Sequence, residues 1–476
     1  MWKVVGGMEN FAPLLERAFF QDVAEANYVV TSIEGQVPDY IRGTYYINGP
    51  ARFQRGDFRY RHWLDGDGMV AALNFGHAGI RFTSRFVQSK KWVDEQAAQK
   101  PLYRAFGTAF EGDQLVRGIA LASPVNVSVY PFANTLLAFG EQGLPYELDP
   151  MTLETRGEYT FHKRLNAISP FSAHPKVDAQ TGELFNFGIS FSATAPALNL
   201  YRFGADAHLI YRQRYPLVAP CSIHDFALSK HYAVFYLSPY VLDMERLMRE
   251  GGALLDALTW QPELGSRLLV VARQTGEAVA MVDVGNRYCL HLANAFEDGN
   301  RLTVDVIELD KPVYDQYRVI PDLFSDVRTA NPVRLVVDIE AKEVVDRREL
   351  AYHHMCDFPA IDSRKAMGSC DDFWVLGISN TPKLGRKFLD QLVHLNWHGA
   401  QDIYQTPPDH YLGGEPVFVG KPGEDGGAII CQIFDAQNEK SCFAIFDAFH
   451  VAKGPVAKLV LHTPLHLGFH ACFHAA

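Results

Sequence analysis

Residues 127–148 read VSVYPFANTLLAFGEQGLPYEL. Three short runs rich in β-branched and aromatic residues stand out: Val127–Tyr130, Thr135–Phe139 and Tyr146–Leu148. Their length and composition are those of strands. The same unit recurs along the chain, in Asp225–Leu228 with Tyr232–Leu237, in Arg267–Val271 with Ala278–Val282, and in Arg301–Ile307, Val333–Ile339 and Ala428–Phe434. Between them lie turn-forming stretches such as Asp178-Ala179-Gln180-Thr181-Gly182, Gln274-Thr275-Gly276 and Glu297-Asp298-Gly299-Asn300, where Gly, Asn and Asp supply the backbone angles a tight reversal needs. Many short strands at even spacing point to an all-β propeller or large barrel. No crisp repeat signature is present, so the periodicity does not set a blade number.

The chain has 476 residues with 44 Lys and Arg against 55 Asp and Glu, a formal charge of −11. A hydrophobic share of 48% and a charged share of 21% describe a globular protein and exclude wholesale disorder. The acidic balance argues against general nucleic-acid binding. No window approaches the roughly 18 apolar residues of a membrane-spanning helix, and the first 30 residues lack the apolar core of a signal peptide, so the expected location is cytoplasmic. Seven cysteines at 221, 289, 356, 370, 431, 442 and 472 include no CxxC pair, which argues for reduced core thiols. One segment breaks the β pattern. Met244, Leu247, Met248, Gly251, Leu254, Leu255 and Leu258 follow helical spacing, with charged residues between them. A helical insertion over 241–258 is expected in an otherwise single domain spanning 1–476, with Gly251-Gly252 weakening the helix. Nucleotide-binding, α/β-hydrolase and zincin signatures are absent. Asp65-Gly66-Asp67-Gly68 starts like a calcium loop, but Gly76 stands where the closing Glu belongs.

The chemistry is carried by histidine. Four of the 18 sit beside strand-like runs and next to turns: His174, His224, His291 and His470. Separated widely in sequence but alike in local setting, they suit ligands converging from different blades. Neutral imidazoles bind Fe, Cu, Ni or Zn, and a shell of them adds no charge to a divalent ion. Each such ligand needs a buried acceptor for its other ring N–H. Glu141, Asp357 and Glu415 lie beside apolar runs and are the candidates, although an ordinary turn acid explains each one singly. At the C-terminus, His462, His466, His470 and His474 recur every four residues. Pro464 and Gly468 oppose a helix, a strand would also put all four on one face, and spacing alone does not choose among them.

At these residues the chain resembles the carotenoid cleavage oxygenase family, in particular its bacterial apocarotenoid oxygenases. The resemblance runs over nearly the whole length. It includes Tyr46–Pro50, His62–Met69, Tyr103–Thr108, Leu144–Pro150, Ser172–Pro175, Ile223–Phe226, His291–Glu297, Glu415–Val419 and Gly468–Phe473. It implies a seven-bladed β-propeller with a helical cap over the metal-bearing face. It implies a non-haem Fe(II) held by His174, His224, His291 and His470, with Glu141, Asp357 and Glu415 behind them. Asp357 departs from the family's usual Glu, so a backbone shift or a water must restore its reach to histidine, and iron binding is expected to be retained, at most weakened. Val127 matches a position where the family often sets a β-branched methyl against an open iron position, while a packed strand valine accounts for it equally well. His62 is in a family motif without being a ligand, and a turn on the propeller surface is expected there.

The implied reaction is oxidative cleavage of a C=C bond of a carotenoid or apocarotenoid, with O2 supplying both carbonyl oxygens. The partners implied are an apolar polyene and O2, with peripheral membrane contact through 241–258, no nucleic acid and no protein partner. Stilbene-cleaving members resemble one another in a Lys just before the first outer Glu, but Gly140 precedes Glu141 here, which favours a carotenoid-type substrate. A non-oxidative isomerase and a carotenoid-binding protein without catalysis are the remaining alternatives.

Overall fold

The computed structural model describes residues 11–20, 23–116, 121–249, 251–320, 322–324, 326–379 and 388–476. Its strands form seven antiparallel sheets arranged as the blades of a propeller, plus two small hairpins. Along the chain, blade two is built on Ser128–Phe132, blade three on Lys176–Val177, blade four on Ala227–Leu228, blade five on Tyr288–Asp298, blade six on Met355–Ala360 and blade seven on His410–Gly420. Each of these is the inner strand of its blade, and three or four further strands follow it outward. Blade one closes the ring. Its inner strand is the C-terminal Ala471–Ala475, paired with Gly43–Arg52, while Ala26–Val29 forms its outer edge. The nearby Ser32–Gly35 completes the outer edge of blade seven. Strands near both ends of the described chain are therefore tied into blades one and seven, which closes the ring and leaves only the outermost strand of each blade as an edge.

Burial follows this order. Outer strands alternate or are largely exposed, as in Glu343–Glu349, whereas the middle strands Arg301–Leu309 and Gly427–Asp435 are buried on both faces. The core consequently sits between blades, as clusters of Val, Leu, Ile and Phe shared by adjacent sheets. All seven cysteines are free, with Cys289, Cys356, Cys370 and Cys431 buried.

Three α-helices occur among the described residues: Phe11–Phe20, Lys90–Ala98 and Met244–Arg249. The insertion expected to be helical over 241–258 is mostly something else. A hairpin pairs Tyr240–Leu242 with Leu258–Trp260, the helix between them covers only Met244–Arg249, and a single 3-10 turn follows at Leu255–Ala257. Gly251 takes φ +67, a left-handed conformation that ends a helix. The apolar spacing was real, but it serves a packed loop in which Leu247, Ala253 and Ala257 are buried. No helix of the described residues is long and apolar enough to cross a membrane.

Candidate metal centre and active site

The inner strands converge on the propeller axis, and the sequence places histidines at their beginnings. His174 precedes Lys176–Val177, His224 precedes Ala227–Leu228, and His470 precedes Ala471–Ala475, while His291 lies inside Tyr288–Asp298. One ring nitrogen from each of the four lies within 4.8 Å of the others. His174 Nε2 and His224 Nε2 are 2.8 Å apart. Three of the rings are buried and His224 is half-buried.

Three carboxylates fix three of the rings. Glu141 Oε1 is 2.9 Å from His224 Nδ1, Asp357 Oδ1 is 2.6 Å from His291 Nδ1, and Glu415 Oε2 is 3.1 Å from His470 Nδ1. Each carboxylate accepts the Nδ1–H, which leaves the Nε2 lone pair directed inward. Burial pushes His174 and His470 well toward the neutral form. Burial acts the same way on His291, but the Asp357 charge outweighs it and holds that ring above the ordinary range.

The strands are irregular where they carry these groups. The pairing of Tyr288–Asp298 slips between Cys289 and Leu292, that of Met355–Ala360 between Asp357 and Ala360, and that of His410–Gly420 between Gly413 and Val417. Bulges of this kind re-aim a side chain out of the regular alternation. For Asp357 the bulge settles the question raised by its short side chain. Phe358 takes φ +55 and its N–H donates to Asp357 Oδ1 at 2.9 Å. The backbone brings the carboxylate to His291 directly, and no bridging water is required.

The donor set fits a metal ion. His291 Nε2 is buried and has no hydrogen-bond partner, a costly condition for a polar atom unless an ion or ligand meets it. Metal–nitrogen bonds of about 2.1 Å span nitrogens roughly 4 Å apart across one ion, close to the spread seen.

A cavity opens beside His224, His291 and His470, with about 910 Å³ of empty space that is partly open to solvent. Its walls are mainly apolar, with Phe106, Leu254, Leu290, Phe358 and Phe469 among them. Val127 lines it as well, and its carbonyl accepts from the His470 N–H at 3.1 Å. The turns Trp63–Asp65 and Val313–Asp315, Leu254 and the start of helix Lys90–Ala98 also line the cavity.

Two further residues were misjudged or missed in the sequence. His62 is not on the surface: it is fully buried, accepts the Leu64 N–H at Nδ1 (3.0 Å), and its Nε2 meets the Tyr317 carbonyl. It pins two covering loops together. Lys91 lines the cavity although nothing in its helix marks it as special. Its ammonium is engaged by Asp67 at 2.8 Å and Glu95 at 3.0 Å, and sits over the Tyr60 ring.

The sequence pattern of the retinal pigment epithelial membrane protein (RPE65) family matches residues 19–475. The chain belongs to this family, the carotenoid cleavage oxygenases. Within the family it is 29% identical over 476 residues to the apocarotenoid-15,15'-oxygenase of Synechocystis sp., covering 94% of each chain. It is 26% identical to an isoeugenol monooxygenase of Pseudomonas nitroreducens, covering 94% of this chain and 95% of that one. The cobalt-substituted structure of the Synechocystis oxygenase superposes with a TM-score of 0.87 at 25% identity, over 98% of this chain and 99% of that one. Family members are oxygenases on the seven-bladed propeller described above, and the histidine cluster is this chain's candidate for the metal such a member carries.

Proposed function

We propose that this chain is a non-haem Fe(II)-dependent dioxygenase that cleaves a C=C bond of an apocarotenoid or carotenoid into two carbonyl products. The observation that carries the proposal is the opening of four converging imidazoles, one with an orphaned buried Nε2, onto an apolar cavity. In this reading His174, His224, His291 and His470 hold the metal, and Glu141, Asp357 and Glu415 orient His224, His291 and His470. Fe(II) so held would supply the activation of O2, both atoms of which end in the products. The chain's own residues do the rest. Phe106, Phe358 and Phe469 exclude water and set the register of the conjugated chain. Val127 presents its methyls on the O2 side.

The apolar walls of the cavity suit a molecule of this class. Its polar features suggest an oxygen-bearing end group. Tyr314 and Tyr317 line it, and neither hydroxyl has a hydrogen-bond partner among the described residues. A terminal aldehyde or hydroxyl would give them one.

Similarity to the isoeugenol monooxygenase supports a phenylpropanoid substrate as a second reading. Two features weigh against it. A side chain at Gly140 would start 1.9 Å from Ser123 Oγ, so a lysine there would require the Ser123 hydroxyl to move. Lys91, the lysine that does reach the cavity, is committed to two carboxylates.

The decisive experiment is anaerobic reconstitution with Fe(II), then incubation with a β-apocarotenal under ¹⁸O2, with isoeugenol in a parallel reaction. Two shorter carbonyl products, each carrying one ¹⁸O, are expected from the apocarotenal. Iron-loaded protein that leaves the polyene intact and consumes isoeugenol would overturn the reading, and double-bond isomerisation without ¹⁸O would assign the chain to a non-oxidative class.

We further place the protein in the cytoplasm, in peripheral contact with a membrane through the 241–258 segment, where Met248 stands half exposed on a helix carrying Arg246 and Arg249. Failure to float with liposomes, loaded with carotenoid or empty, would count against that contact.

A further inference from the structure

Of the four imidazoles, His174 alone lacks a carboxylate at hydrogen-bond distance. Its Nδ1 makes no hydrogen bond among the described residues. The nearest acid is Asp225, whose Oδ1 lies 3.7 Å from that nitrogen. Asp225 is 3% exposed, and the same Oδ1 receives no well-aligned hydrogen bond even though Lys176 Nζ sits 2.8 Å away. A carboxylate oxygen ion-paired with Lys176 thus lies 3.7 Å from a buried imidazole nitrogen that makes no hydrogen bond among the described residues. A buried nitrogen left in that state is costly.

Asp225 is also tied to the other ligands. It follows His224 in the chain, and its Oδ2 accepts at 3.0 Å from the N–H of Leu292, the residue after His291. One carboxylate therefore touches the backbone that positions two histidines and faces the ring of a third. For His174 to turn the Nε2 lone pair toward an ion shared with His224, its ring proton must reside on Nδ1. A carboxylate facing Nδ1 favours that tautomer, as Glu141, Asp357 and Glu415 do for the other three rings.

We propose that Asp225 is the fourth outer carboxylate, a positioning residue that holds His174 in its metal-binding tautomer, and that Lys176 is its counter-ion. The proposal rests on the reading of the four histidines as a metal site. In it, Asp225 closes the gap to His174 Nδ1 when metal is bound and divides its charge between that N–H and the Lys176 ammonium. Lys176 is about a third exposed, so the pair can shift without disturbing the core.

The test is Co(II) titration against a competing chelator, monitored by visible absorption, together with the melting temperature of the metal-free protein. Wild type is expected to bind one equivalent. Asp225→Asn keeps the volume but removes the charge, and is expected to weaken Co(II) binding roughly 10–100-fold and to alter the Co(II) spectrum. Lys176→Met frees the carboxylate for His174 and is expected to bind Co(II) at least as tightly as wild type. The second variant keeps the test decisive if Asp225→Asn fails to fold. Affinity within threefold of wild type in Asp225→Asn, or a loss in Lys176→Met that tracks a fall in metal-free melting temperature, would show Asp225 to be a structural ion-pair partner only. A wild type that takes up no Co(II) would instead remove the metal-site reading itself.

Discussion

Asp357 Oδ1 approaches His291 Nδ1 to 2.6 Å, the shortest of the three carboxylate–imidazole contacts around the centre. The shorter acid has not loosened the contact, because the strand that carries it bulges and the Phe358 N–H clamps the same oxygen.

Asp357→Ala should therefore weaken metal binding roughly 10–100-fold. Asp357→Glu adds a methylene to a site only 1% exposed and should cost about 1–3 kcal/mol of stability by overpacking, despite Glu being the family's usual residue. Metal titration and chemical denaturation of both variants check this. A more stable, tighter-binding Asp357→Glu protein would contradict it.

Gly140→Lys should not create a phenol-cleaving enzyme. Even the first carbon of the new side chain would collide with Ser123 Oγ, so the expected effect is a loss of about 1–3 kcal/mol, read as a lowered melting temperature. Pairing it with Ser123→Gly should recover part of that loss, since the clash is with one side chain.

Tyr314→Phe removes a cavity-facing hydroxyl and little else, because its ring packing on Tyr240 and Phe106 remains. A hydrogen bond to substrate is worth about 0.5–1.5 kcal/mol. KM for an apocarotenal should rise roughly 2–10-fold, while KM for a hydrocarbon carotene should hardly move. Equal effects on both substrates would place the hydroxyl away from the end group.

His62 makes stability depend on pH in a defined direction. Burial lowers its pKa, and the nearby Asp65 charge and the Tyr317 carbonyl only partly oppose that. The unfolded chain titrates near 6.5, so below about that value the unfolded state binds the extra proton and the folded state does not. The contribution of a neutral His62 is therefore complete above pH 6.5 and is lost as pH falls beneath it. Urea denaturation across pH 5–8 should show His62→Gln to be less stable than wild type at pH 8, with the difference shrinking toward pH 5. A constant difference would mean that His62 does not titrate in this way.

Sequence and structure agree most closely where chemistry depends on residue type. His174, His224, His291 and His470 share a local setting beside turns and apolar runs, the family resemblance separates His470 from its C-terminal neighbours, and the inner strands bring all four together. Glu141 and Glu415 followed as candidates from the need of a ligating ring for a buried acceptor. Residues whose importance lies in where they point were not legible. Lys91 sits in an ordinary helical sequence, and only the approach of Asp67 and Glu95 shows that its charge is spoken for. The apolar spacing over 241–258 fits one helix on paper because helical periodicity and a folded-back, buried loop place hydrophobic residues at similar intervals. The turn at Gly251 decided between them.

What the sequence alone determined is thus the all-β class, by its short strands and turn residues, and a set of candidate histidines and acids, by their chemistry, with His470 singled out from its C-terminal neighbours only by the family resemblance. What only the tertiary structure decided is how far each side chain reaches. The bulges at His291, Asp357 and Glu415, the burial of His62 and the facing of Asp225 toward His174 all arise from contacts between blades distant in sequence. No local pattern records such contacts, because pairing register and ring closure are properties of the whole assembled sheet.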